Sequence, residues 1–291
     1  MNMKTIIPTT IKVILCLTLI DQLLITKTSK AFLPIINEPN QQEFKSTSIE
    51  IGQTAVQLIQ YGQNKEAIKL LNLAIQLNPK ETNLWLSLAE AQIRSNKKYQ
   101  ALSSLNKAIQ LKPKEENIYF TKASIYMDLN DPKKAKVSIK KGLSINNNNE
   151  RGYFQLGNAQ IMLKNYKSAL NYFQKSSLIN SNFWQSINNE GLILYELDKT
   201  KKAMNKFKLA LDISQDAEPM LALAIVLFSP KNNNIESIRL AKNALNSNPQ
   251  YVSKEYQEKQ LWGEKLQKKA QLLFKTKEMI KAVKEAKEKS Q

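Results

Sequence analysis

Carboxylates, lysines and tyrosines are the side chains this sequence leaves for moving a proton, because its 291 residues contain no histidine and a single cysteine, Cys16. Without histidine, the usual general acid or base at neutral pH and the commonest metal ligand are both missing. Cys16 lies in an apolar N-terminal stretch, so the rest of the chain has neither a thiol nucleophile nor a disulfide. The acidic pair Glu115 and Glu116 falls at a junction between sequence blocks, where a solvated helix start accounts for it. No phosphate-binding loop occurs. The expectation is a non-catalytic chain with no cofactor and no metal.

Hydrophobic residues make up 42% and charged residues 23%, which describes a protein able to form a core. Seven glycines are too few for turn-rich β architecture. Formal charge is +18; Lys4, Lys12, Lys27 and Lys30 against Asp21 put +3 of it on residues 1–31 and leave +15 on the remainder. One account is a lysine-, asparagine- and isoleucine-rich bias, seen in the runs Asn146 to Asn149 and Asn232 to Asn234. The other is attraction to anionic membranes or acidic proteins.

At the N-terminus, Lys4 and Lys12 precede an apolar run from Val13 to Ile20, a second run covers Leu23 to Ile25, and Ser29-Lys30-Ala31 offers small residues two apart. Two readings of residues 1–31 stand. A secretory signal cleaved after Ala31 would leave a chain starting at Phe32. A retained anchor would use Ile6 to Ile25, about one bilayer crossing, with Lys12 and Asp21 inside it at roughly 2.5–3.5 kcal/mol each. Either way the chain is expected at or beyond a membrane, anchored or exported to a periplasm or thylakoid-type lumen. Pro34 and Pro39 set this segment apart from the rest of the chain, so residues 32–47 read as a linker.

The elements that position any remaining site come from a repeat. Shifted by 34 residues, the chain aligns Ala67, Ala101, Ala135, Ala169 and Ala203 in one column, with Ser237 sixth. Seven residues on stand Ala74, Ala108, Gly142, Ser176, Ala210 and Ala244, and between the columns Leu71, Leu105, Ile139, Phe173, Phe207 and Ala241. This spacing puts all three on one helical face. An earlier helix in each block carries Ala55, Ala89, Ala123, Gly157 and Gly191, replaced by Ile225 in the last copy. Four residues before them come Ile51, Trp85, Tyr119, Tyr153, Ile187 and Leu221. The pattern predicts helix pairs, with Pro79, Pro113 and Pro249 at block ends.

The period and the segments WLSLAEAQ…ALSSLNKAIQLKP (from Trp85) and YFQLGNAQIMLKNYKSALNYFQKS (from Tyr153) resemble the tetratricopeptide repeat. The resemblance covers residues 48–251 as six copies, 48–81, 82–115, 116–149, 150–183, 184–217 and 218–251. Departures are Lys122 and Glu190 where leucine is usual, and Asn147, Ser181 and Gln215 where proline is usual. The plan also weakly resembles cyanobacterial-type repeat proteins that help assemble membrane complexes. The resemblance implies an all-α, right-handed superhelical solenoid whose first helices line a concave groove. The family's groove positions carry over to Leu86, Glu90, Ile93 and Arg94, then Phe120, Ser124, Met127 and Asp128. They continue as Phe154, Asn158, Ile161 and Met162, then Asn188, Leu192 and Tyr195. This apolar set suits a client's hydrophobic anchors. Asn158 and Asn189 match the asparagines of the family's carboxylate clamp, but Phe154, Pro219 and Leu223 stand where its cations belong, so no clamp is expected.

After Tyr251, the stripe Leu261, Trp262, Leu266, Ala270, Leu273 and Phe274 makes residues 252–274 a capping helix, with Trp262 a rival docking point. Residues 275–291 read as a lysine-rich, solvated tail. The expected function is a scaffold or assembly factor binding a client protein in its groove. The alternative is a basic protein contacting an anionic membrane surface or nucleic acid through distributed lysines. Nucleic acid is disfavoured because glutamates interleave with the lysines and no basic stripe with stacking aromatics is present.

Overall fold

Helix is the state that small-residue columns and scarce glycine favour, and the computed structural model, which describes residues 40–229 and 234–290, is built of helical hairpins. The described residues divide into two compact units after Lys114. The first unit holds α1 (Gln41–Gln60), α2 (Asn64–Leu77), α3 (Thr82–Arg94) and α4 (Lys98–Leu111). The second begins with α5 (Glu116–Asp128), α6 (Pro132–Ile145), α7 (Glu150–Met162) and α8 (Tyr166–Ile179). It continues with α9 (Trp184–Glu196), α10 (Thr200–Ile213), α11 (Ala217–Leu227) and α12 (Ile235–Ser247). A 3₁₀ turn (Pro249–Val252), α13 (Lys254–Lys259), α14 (Glu264–Phe274) and α15 (Ile280–Lys289) complete it. Odd-numbered helices up to α11 are the first of each pair and even-numbered ones the second.

The signal or anchor of residues 1–31 and the linker up to residue 39 lie outside the described residues. The rest of the linker is helical. Asn40 and Glu43 form a reciprocal capping box, each side chain accepting from the other's backbone N–H at 2.9 Å, so α1 starts at Gln41.

A left-handed residue ends each of the first five first helices, and these fall in a 34-residue column that the sequence reading did not pick out. Gly62, Asn96, Asn130, Lys164 and Asp198 have φ between 57° and 75°. After each, the next backbone N–H returns to the carbonyl five residues back: Gln63 to Leu58, Lys97 to Gln92, Asp131 to Tyr126, Asn165 to Gln160 and Lys199 to Leu194, at 2.7–2.9 Å. This 6→1 bond satisfies carbonyls the helix end would strand, and it turns the chain into the second helix within two residues. Glycine fills the position once. Asn96, Asn130 and Asp198 are types that tolerate the left-handed region, while at Lys164 the bonds hold a residue for which it costs roughly 1–2 kcal/mol.

In five of the hairpins, residues 16 apart come together in the core. Gly157 faces Phe173 and Gly191 faces Phe207, with no room for a Cβ on either glycine. Ala55 and Leu71 share one core cluster, and Ala123 and Ile139 another. In the last pair the sizes are exchanged, Ile225 with Ala241, again within one cluster. The break at Ile225 is therefore compensated across the hairpin: total volume is kept while the bulk changes sides. The two charged departures are also accommodated. Lys122 is half-buried near the Tyr126 ring, its ammonium pushed down by desolvation. Glu190 is fully buried but ion-paired to Lys206 at 2.7 Å and accepts from Ser177 Oγ at 2.6 Å.

The C-terminal segment does two things. α15 packs on α12 and the 3₁₀ turn, burying Met279 and Ala286, so the expected solvated tail contributes an end cap. α14, the stretch expected to cap, instead lies across α9 and α11, both first helices. This explains α11: ten of its eleven residues are buried, because α12 covers one side and α14 another.

Candidate functional site

The side chains carried over as groove residues divide by burial. In the first unit, Leu86 and Ile93 are half-buried on α3, while Glu90 and Arg94 are exposed. Arg94 Nε and Nη2 both donate to Glu90 Oε1, at 3.0 and 2.9 Å. In the second unit, Phe120, Ile161, Asn188 and Leu192 are buried in the chain's own packing. Phe120 fills the notch between Gly142 and Gly152, which have no side chain to exclude its ring. Ile161 joins the cluster of Phe173 and Ile193, and Leu192 that of Phe207 and Leu221. Met127 and Ser124 on α5, Phe154, Asn158 and Met162 on α7, and Tyr195 on α9 are half-buried, and Asp128 is exposed.

Polar contacts tie neighbouring first helices together under this face. Gln155 Nε2 donates to Ser124 Oγ at 2.9 Å, and Asn189 Nδ2 to Asn158 Oδ1 at 3.2 Å. The two asparagines that match a carboxylate clamp therefore bind each other. Phe154 is fixed between Phe173 and Phe183, with ring centroids 5.7 and 5.2 Å away.

Residues 253–274 form the other wall of the site. α13 ends at Leu261 in the left-handed region (φ 61°), closed by Trp262 N–H to the Gln257 carbonyl at 3.0 Å, the same device that ends the first helices. That turn points Trp262 inward. Its indole N–H donates to the buried Glu218 carboxylate at 2.8 Å, and its ring lies 5.5 Å from Tyr251. Desolvation pushes the Glu218 carboxyl up to about 7, the nearby Asp216 charge adds to the rise, and the indole bond opposes it. At the start of α14, the Glu196 carboxylate accepts from the backbone N–H groups of Leu266 (3.1 Å) and Lys265 (3.4 Å), a cap supplied from α9. Burial raises the Glu196 carboxyl, against these two bonds. Lys265 Nζ donates to the Glu196 carbonyl at 2.8 Å and to Asp198 at 2.7 Å, and Lys269 Nζ to the Val226 carbonyl at 3.1 Å.

Two clefts remain beside the seated segment. One, about 520 Å³, lies between Ile161, Met162 and Tyr166 on one side and Trp262, Glu264 and Gln267 on the other. The second, about 340 Å³, opens between Phe154, Asn158 and Asn189 and the residues Tyr256 and Leu261. Glu196, Glu218 and Lys265 were missed by sequence reasoning. The available signal was α11, whose apolar residues leave it no solvent face. Among the described residues no cluster of acidic or cysteine side chains could hold a metal ion.

Helical hairpins recurring with a 34-residue period define an all-α repeat protein. Residues 58–119, 116–149 and 150–183 match the tetratricopeptide-repeat family, so the hairpins over 58–183 are tetratricopeptide repeats. Solved structures agree on the fold. MamA is similar at TM-score 0.53 and 18% identity, over 60% of this chain and 93% of that one. A structure described under the functional characterisation of Pseudomonas aeruginosa PilF is similar at TM-score 0.59 and 20% identity, over 76% and 98%. A chain of the APC/C hetero-tetramer Cut9–Hcn1 is similar at TM-score 0.58 and 17% identity, over 80% and 46%. No curated protein matches the sequence.

Proposed function

We propose that this chain is a non-catalytic scaffold, an assembly or adaptor factor, that seats an apolar or aromatic-anchored client segment against its first helices, at or beyond a membrane. The observation that carries the reading is the chain's own segment on α9 and α11, with Trp262 against Glu218 and Lys265 against Glu196 and Asp198. It supplies a template for what this face accepts: a short helix with one inserted aromatic residue and a cation at its start. The two adjoining clefts present Phe154, Asn158 and Met162 to a further segment of that kind, and α3 offers Leu86 and Ile93 in the first unit. The apolar stretch within residues 1–31 supports export or anchoring. Among the described residues no helix is long and apolar enough to cross a membrane.

The test is a photo-crosslinking residue placed at Asn158, Met162 or Leu86 of the full chain in its native cells, against one at Lys140 on a second helix. The reading expects the first set to trap a common protein that Lys140 does not. Equal trapping by both sets, or none, would sink it. The mass of the native N-terminus and the partition after carbonate washing then separate an exported chain starting at Phe32 from an anchored one.

A further inference from the structure

Lysine richness is general in this chain, but the way it is neutralised is not. In the C-terminal helices of the second unit, lysines alternate with glutamates one turn away and pair with them: Lys254–Glu258, Lys259–Glu255, Lys268–Glu264, Lys281–Glu285 and Lys284–Glu288. The second helices α6, α8 and α10 of the same unit differ. Together they carry eleven lysines, no arginine and one acidic residue, Asp212. Lys133, Lys167 and Lys201 occupy the same position in three successive repeats, and Lys140, Lys141 and Lys208 extend the row; all six are exposed. Among the described residues none of the six ion-pairs with a carboxylate.

Three acids nearby hold other lysines, and Asp212 is the one acid on the helices themselves. Asp131 holds Lys134 at 2.8 Å, Asp198 holds Lys265 at 2.7 Å, and Glu190 is buried with Lys206. None of the three helices has an acidic residue in its first turn, where Lys133, Lys167 and Lys201 stand instead. That placement opposes the helix macrodipole, so local helix stability does not explain it. Apolar side chains also break the surface of these helices: Val137 is 70%, Leu209 45% and Leu178 84% exposed.

We propose that the outer face of α6, α8 and α10 docks on an anionic lipid surface. Flexible ammonium groups attract anionic headgroups without needing fixed geometry, and interspersed apolar residues gain by entering the interfacial zone. A nucleic acid is the poorer fit, because the three helices have no arginine for bidentate phosphate contacts. The lysines lie on the second helices, away from the seat of α14 on the first helices, so lipid docking and client binding succeed or fail separately.

The experiment is flotation of the full chain with phosphatidylglycerol–phosphatidylcholine vesicles, against phosphatidylcholine alone. Comparing variants of one full chain cancels any insertion by its N-terminal stretch. The variant K133E/K167E/K201E is set beside K281E/K284E/K287E, which makes the same charge change on α15, with circular dichroism confirming that both keep their helicity. K133Q/K167Q/K201Q provides a version without introduced acids. Docking predicts a preference for anionic vesicles that salt abolishes, at least about a tenfold loss in the face-reversal variant, an intermediate loss in the glutamine variant and less than about threefold in the α15 control. No preference for anionic vesicles, equal losses in the two charge-reversal variants, or tighter binding to random duplex DNA with the same variant dependence would each overturn it.

Discussion

Replacing Gly191 by alanine tests whether size exchange across the hairpin organises the core. An added Cβ would lie 2.6 Å from Phe207 Cε1 and 2.8 Å from Cδ1, and Phe207 is fully buried, so the ring has nowhere to swing. Alanine in mid-helix gains about 1 kcal/mol of helix propensity over glycine, whereas overpacking a tight core costs about 1–3 kcal/mol. The net expectation is a loss of up to about 2 kcal/mol. Phe207→Leu alone leaves a void and loses about 1–2 kcal/mol. The double variant restores the small–medium pairing of Ala55 with Leu71, so it should recover most of both losses, a coupling of at least about 1 kcal/mol. Urea unfolding of the four proteins by circular dichroism measures the cycle. If Gly191→Ala is stabilising and the two effects add, propensity alone governs the site and the packing argument is wrong.

Three further outcomes rest on the geometry. Lys164→Gly should raise stability by about 0.5–1 kcal/mol, since φ 60° strains lysine and not glycine; a drop in the thermal midpoint would contradict this. Glu218 binds its proton more tightly when folded, its carboxyl rising from 4.5 to about 7, so its contribution is full below about pH 4.5 and is lost as pH rises towards 7. Glu218→Gln keeps an acceptor for the indole and should flatten this fall, leaving the variant about 2–3 kcal/mol more stable than the parent at pH 8; unfolding curves with equal pH slopes would refute the assignment. For the pair of Glu190 and Lys206, Lys206→Met should lose about 3 kcal/mol by stranding a buried carboxylate, while Glu190→Leu should be nearly neutral, as denaturant midpoints would report.

What the sequence determined alone is the repeat: its period, the helix pairs and the columns of small residues that the core uses. Those features depend on interactions within a hairpin or with the next copy, so they recur and become legible by self-alignment. The left-handed column of Gly62, Asn96, Asn130, Lys164 and Asp198 was in register and four of its five residues are types that tolerate that region, but Lys164 breaks the pattern and is held there by its backbone hydrogen bonds. Size exchange at Ile225 and Ala241 looked like a broken column until the two helices were seen together.

The candidate site was legible in part. Leu86, Ile93, Met127, Phe154, Asn158, Met162 and Tyr195 keep accessible surface on the first helices, whereas Phe120, Ile161, Asn188 and Leu192 are taken up by packing that no periodicity distinguishes from a groove. Only the tertiary structure decided where α14 goes. Its apolar stripe fits an end cap or a groove equally well. The choice rests on Trp262 meeting Glu218, 44 residues earlier, and on Glu196 capping the N–H of Leu266, 70 residues later. Contacts at such separations arise from how the hairpins stack and from the left-handed turn at Leu261, which no local pattern in the sequence encodes.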